Sequence, residues 1–177
     1  MHRIIVALAI GSAVGSSLLM TGCATSRAQV SGTPDAATAA SFERLKSLAG
    51  EWESVDEQGN RSLASVFAVT SGGSAVREVM FPGQPHEMTN MYHMDGSSIV
   101  ATHYCAMGNQ PRMRCRSSDG SRFDFAFDSI TNLASSDVDA MSAMTLVIVD
   151  GERIEQRWST LKADPNHAPV FELTRKR

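Results

Sequence analysis

The chain lacks the short motifs that mark the commonest catalytic folds. It has no G-x-S-x-G elbow, no H-E-x-x-H pair and no glycine-rich phosphate loop. Its acids suggest no acid–base pair either. Glu87 directly follows His86, and adjacent strand residues point to opposite faces. Glu51 and Glu53 share a face, but at a strand edge where acids are normally solvated. No enzymatic activity is expected. Basic residues are not in excess: 16 Lys and Arg against 19 Asp and Glu leave a net charge of −3, which excludes the basic face that nucleic acid requires. Cysteine is scarce, at three residues, and so is histidine, at five. After Leu19 no apolar run is long enough to cross a bilayer as a helix, which takes about 20 residues.

What is present starts at the N-terminus. His2 and Arg3 give a short basic opening, Ile4 to Leu19 carries no charge, and Met20-Thr21-Gly22 sets small residues before Cys23. Gly11, Ser12, Gly15, Ser16 and Ser17 dilute the run, which favours a secretory signal over a membrane span. The segment resembles a lipoprotein signal, departing from it at Met20, where the pattern usually has Leu. The resemblance implies cleavage before Cys23, lipid on that cysteine and a membrane anchor. Ala24, standing where an Asp would retain the protein at the inner membrane, implies the outer membrane, facing the periplasm. The alternatives are an ordinary signal peptide cut elsewhere and a buried core helix.

Residues 1–22 are thus read as a signal peptide, 23–40 as a flexible tether and 41–177 as one domain. The tether is rich in Ser, Thr, Ala and Gly with no apolar period. Phe42, Leu45 and Leu48 then fall at helical spacing behind Ser41 as N-cap, which predicts a short helix ending at Gly50. Beyond Gly50 the period is two. Ten strands are predicted, near Glu51–Val55, Ser62–Thr70, Ala75–Phe81, His86–Met94, Ser98–Cys105, Met113–Ser117, Arg122–Asp128, Ala143–Val149, Arg153–Thr160 and Val170–Arg175. The expected fold is all-β, an antiparallel up-and-down barrel of about ten strands with a short N-terminal helix.

Three Asp-Gly turns bear on the register. Two-residue turns at Asp119-Gly120 and Asp150-Gly151 would set Phe125 beside Arg114 and Leu146 beside Glu155. Three-residue loops instead group Met113 and Cys115 with Phe123, Phe125 and Phe127, and Met144, Leu146 and Ile148 with Ile154 and Trp158. The same loop at Asp95-Gly96 puts Met91 and His93 on the face of His103 and Cys105, and Asn90 and Tyr92 on the other. Cys105 and Cys115 flank Ala106 to Arg114, so they form either a cross-strand disulfide or two thiols that never meet. With the bridge in place, His93 and His103 point into the barrel.

Gly50-Glu51-Trp52, after a short helix and opening the first strand, resembles the G-x-W signature of lipocalins and their calycin relatives. The resemblance implies that Trp52 closes one end of the barrel with Arg175 packed on its ring. Further along, His86-Glu87-Met88, Tyr92-His93, Thr102-His103-Tyr104-Cys105 and Gly108-Asn109-Gln110-Pro111-Arg112-Met113 resemble a bacterial lipoprotein family of unknown function with a lipocalin-like barrel. That match runs from about Phe42 to Arg175. It implies a fold and no activity.

A barrel of this strand number holds room for one small ligand. The candidate ligand-binding residues are His93, His103, Tyr104, Gln110 and Arg112, with Arg112 suited to an anionic head group and Asn109 and Gln110 to amide hydrogen bonds. The competing reading is that Gly108 to Arg112 simply builds its turn. His93, His103, Met91 and Cys105 would suit copper, and His167 would be the candidate for haem, by analogy with the haem-binding barrel nitrobindin. No metal and no cofactor are expected. The expected partner is a small hydrophobic or amphipathic molecule. The alternative is a filled barrel that works through an envelope protein.

Overall fold

The computed structural model describes residues 31–163 and 169–177. The signal segment, Cys23, the first part of the tether and His167 lie outside these residues.

The first element is helix α1, Ala36–Lys46, which starts six residues before the Phe42 start that the apolar spacing predicts. Asp35, not Ser41, is the N-cap, its Oδ1 accepting the Thr38 amide at 2.7 Å. Ala36 to Ala40, predicted as tether, are helical. Ser41 is buried with Phe42 and Leu45 on the packed face.

Ten strands follow: β1 Gly50–Val55, β2 Arg61–Thr70, β3 Ala75–Met80, β4 Met88–Asp95, β5 Ser98–Tyr104, β6 Gln110–Ser118, β7 Arg122–Thr131, β8 Met141–Ile148, β9 Arg153–Thr160 and β10 Val170–Arg175. Each pairs antiparallel with its neighbours, and β10 returns to β1 to close the barrel. The fold is therefore all-β and up-and-down. Closure leaves no strand edge exposed.

Helix α1 sits at one end. Leu48 and Trp52 are buried there with Phe42 and Leu45, and the Trp52 indole donates to Leu48 O at 2.8 Å. The Arg175 guanidinium lies 4.3 Å over the Trp52 ring. The up-and-down order puts the β1–β2, β3–β4, β5–β6, β7–β8 and β9–β10 connections at the opposite, far end. Between the two, Phe67, Met113, Phe123, Phe125, Met144, Leu146 and Ile154 fill the interior.

The registers of β6–β7 and β8–β9 group the apolar faces as the loop argument requires. Cys115 pairs with Phe125 and Met113 with Phe127, Met144 with Trp158 and Ile148 with Ile154. At β4–β5 the register differs. Asp95 pairs with Ser98, so the loop is the two residues Gly96-Ser97, and Tyr92 lies beside Ala101 and Asn90 beside His103. Gly96 has φ +61°, as the first central position of a type II′ turn requires. One residue of slip turns β4 over: Asn90 and Tyr92 face inward, Met91 and His93 outward.

The β5–β6 ladder settles the thiols. Val100 pairs with Arg114, which sets Cys115 opposite Ile99, six positions along β5 from Cys105. At about 3.3 Å per residue that is roughly 20 Å, against the 7 Å a disulfide tolerates between Cα atoms. Both thiols are free. The loop between β5 and β6 is shorter than supposed, because β6 begins at Gln110.

Candidate functional site

Glu78, inward-facing on β3, has none of its surface exposed. Its Oε1 accepts from Ser65 Oγ at 2.8 Å and Gln156 Nε2 at 2.7 Å; its Oε2 accepts from Asn90 Nδ2 at 2.8 Å and Tyr92 Oη at 2.7 Å. Donors from β2, β4 and β9 thus occupy both oxygens. Burial, and then the adjacent Glu78 charge, push the Tyr92 phenol well above its ordinary range.

Asn90 carries the chain onward. With Nδ2 committed to Glu78, its Oδ1 meets His103 Nδ1 at 2.7 Å. An amide oxygen only accepts, so Nδ1 holds the ring proton and Nε2 presents a lone pair. Burial pushes His103 down to about 4, so the ring is neutral at pH 7. The ring packs against Trp158, centroids 5.1 Å apart, whose indole donates to Gln156 Oε1 at 3.2 Å. Both arms of the network therefore end on Glu78.

His103 Nε2, in a residue 1 % exposed, makes no hydrogen bond among the described residues. The same holds for both amide atoms of Asn109, also 1 % exposed. Thr102 pairs with Arg112, and the Cys105 amide donates to Asn109 O at 3.1 Å, which makes Asn109 a diagonal cross-strand neighbour of His103 at the far end. Such neighbours stand about 7–8 Å apart. Asn109 immediately precedes β6, in which Pro111 and Met113 are buried, and is itself buried. Buried polar groups in folded proteins are nearly always paired, so three such atoms at one end of the barrel require a reason.

Phe81 stands at the same end with φ +53°, a left-handed conformation that a bulky residue rarely adopts. Its ring packs on His86 at 4.9 Å and on Phe171 at 5.9 Å. Strain of this kind, about 1–3 kcal/mol, collects at ligand clamps and switch regions.

The neutral His103 has a pH consequence. Its folded pKa, about 4, lies below the ordinary 6.5, so between these values the unfolded chain binds more protons. Stability should fall on acidification from about pH 6.5 to about 4. Asp95 and Asp119, both lowered to about 2, add losses as the pH falls through the ordinary carboxylate range toward that value. Urea titrations across this window should show the slope flattened in His103→Gln; an unchanged slope would place the acid-sensitive group elsewhere.

Of the five candidates read from the sequence, only His103 faces inward. His93 lies on the outer wall between Ala75 and Val100, with Nδ1 3.0 Å from Met94 O. Tyr104 is 50 % exposed. Gln110 bonds Gly108 O and Thr131 Oγ1, each at 2.9 Å, and so builds its own loop. Arg112 is tied on the outer wall to Asp95 at 3.1 Å and Asp128 at 3.3 Å, which leaves it unsuited to an anionic head group inside the barrel. The copper set dissolves with the β4 register, since Met91 and His93 face away from His103. Among the described residues no three of His, Cys, Asp and Glu gather to hold a metal ion. Glu78, Asn90, Tyr92, Gln156 and Trp158 are members of the site that the sequence reading did not single out. A scan against protein-family models finds no match for the chain, and a search of curated proteins finds none either.

Proposed function

We propose that this chain is a calycin-type envelope lipoprotein, anchored to the outer membrane through Cys23, that binds a small, largely apolar molecule at the far end of its barrel. The observation that carries the binding reading is the lone pair of His103 Nε2, oriented by Asn90 and Glu78 and without a hydrogen-bond partner among the described residues. Leaving such an acceptor buried and unmade costs about 1–3 kcal/mol, and a ligand donor would recover it. Trp158, Phe81 and Phe171 supply the apolar surroundings. The lipid anchor rests on the leader sequence alone.

The test is native mass spectrometry of the full chain purified from its own envelope in mild detergent. Noncovalent mass that disappears on denaturation, and is missing from His103→Ala, is the expected result. Bare polypeptide in both samples would sink the binding reading. It would favour the second reading, a filled barrel acting on an envelope partner, which is supported by Val55, Tyr104, Met107, Leu161 and Val170 standing exposed at the far end. The same spectra check the anchor: diacylglyceryl mass on the chain should vanish in Cys23→Ser.

A further inference from the structure

We infer that the far-end site selects an uncharged ligand that carries a hydrogen-bond donor beside an acceptor, as an amide does, and rejects a carboxylate. This inference rests on the binding reading above and names the chemistry of its ligand.

The argument is a chain of forced assignments. Glu78 receives donors at both oxygens, so the Asn90 amide must turn its nitrogen toward the carboxylate. Asn90 Oδ1 then faces His103 and requires a proton on Nδ1. Nε2 is thereby an acceptor with no freedom to become a donor while the ring stays neutral. Asn109, immediately before the neighbouring strand β6, adds one donor and one acceptor, both without partners among the described residues. The site thus offers two acceptors and one donor.

A carboxylate brings no donor and would set its charge against the Nε2 lone pair. Arg112, paired with Thr102 beside His103, forms ion pairs with Asp95 and Asp128 on the outer wall and so supplies no counter-charge inside the barrel. An ammonium brings donors but would be buried opposite no free carboxylate, because both oxygens of Glu78 are already occupied. A primary amide satisfies both residues: its NH₂ donates to Nε2, and its carbonyl accepts from Asn109 Nδ2. An alkyl chain then lies against Trp158 and Phe171.

Three water-soluble probes of equal chain length separate the cases: hexanamide, hexanoate and hexylamine, titrated calorimetrically into the full chain at pH 7. Hexanamide should bind at least tenfold more tightly than either charged probe, the equivalent of one well-made hydrogen bond to a buried group. His103→Phe and Asn109→Ala should each weaken hexanamide about tenfold and leave hexanoate unchanged, with circular dichroism confirming that each variant is folded. Hexanoate or hexylamine binding as tightly as hexanamide would overturn the selectivity while leaving a binding site in place. Failure of all three probes to bind would overturn both the selectivity and the binding reading beneath it.

Discussion

Replacing Glu78 by alanine is expected to lower the unfolding free energy by on the order of 4 kcal/mol, the largest effect of any single substitution proposed for this chain. The carboxylate accepts four hydrogen bonds at the centre of a buried cluster. Its removal takes the acceptor away from Ser65 Oγ, Gln156 Nε2, Asn90 Nδ2 and Tyr92 Oη, four donors on buried residues. Each stranded donor costs about 1–3 kcal/mol less whatever local relaxation recovers. Glu78→Gln should cost less, because the amide keeps one acceptor and the shape, but it sets an NH₂ against donors. Thermal unfolding would read the alanine variant as a fall of roughly 10 °C in Tm for a domain of this size. A change of a degree or two would mean that the four donors find other partners and that the carboxylate does not organise the core. Loss of Glu78 should also release Asn90 to flip, so that His103 no longer presents a fixed acceptor.

The strand pattern was legible because closure of the barrel leaves each strand half buried, and period two follows directly from that. β9 and β10 fall where alternation puts them, residue for residue. Strand ends were less legible. β6 begins at Gln110, before its apolar alternation shows, because Pro111 is buried and in register with Ile130. The helix start was missed for a similar reason. Ala36 to Ala40 carry no apolar stripe, and the signal was Asp35 as the cap.

The site was read less well, and the cause is one turn. The register argument tests whether apolar residues share a face, and at Asp119-Gly120 and Asp150-Gly151 flanking phenylalanines and leucines decide it. Around Asp95 the alternation is mixed, with Met91 and Tyr92 apolar at both parities, so the test has no power. Gly96-Ser97 as the central pair is a recognised hairpin signal and would have given the correct face. Glu78 was invisible for another reason. Val76 and Val79 flank Arg77 and Glu78 with opposite parity, so β3 alone does not say which charge turns inward. The residues that decide it lie between 12 and 78 positions away, and no local pattern contains them.

The second large effect is expected at the helix end. Arg175→Ala should cost about 2–3 kcal/mol, and Arg175→Lys should restore less than half of that. The guanidinium donates to Ala49 O at 2.9 Å, Ser47 O at 3.0 Å and Gly151 O at 2.9 Å while it covers the Trp52 ring. It thereby ties the exit of α1, the β8–β9 turn and β10 to one indole. An ammonium has the charge but not the planar fork, so it reaches one or two of these carbonyls at most. Gly50 is part of the same arrangement: its φ is +134°, and a Cβ there would stand 2.8 Å from Arg175 Nη1. Gly50→Ala should therefore destabilise both through its backbone and by dislodging the guanidinium, by about 1–3 kcal/mol. Because the two substitutions remove one shared contact, the double variant should cost less than the sum of the singles by about 1 kcal/mol. Urea unfolding followed by tryptophan fluorescence measures all three. Strict additivity would show that Gly50 is needed for its backbone alone, and that the spacing of glycine to tryptophan has nothing to do with the arginine.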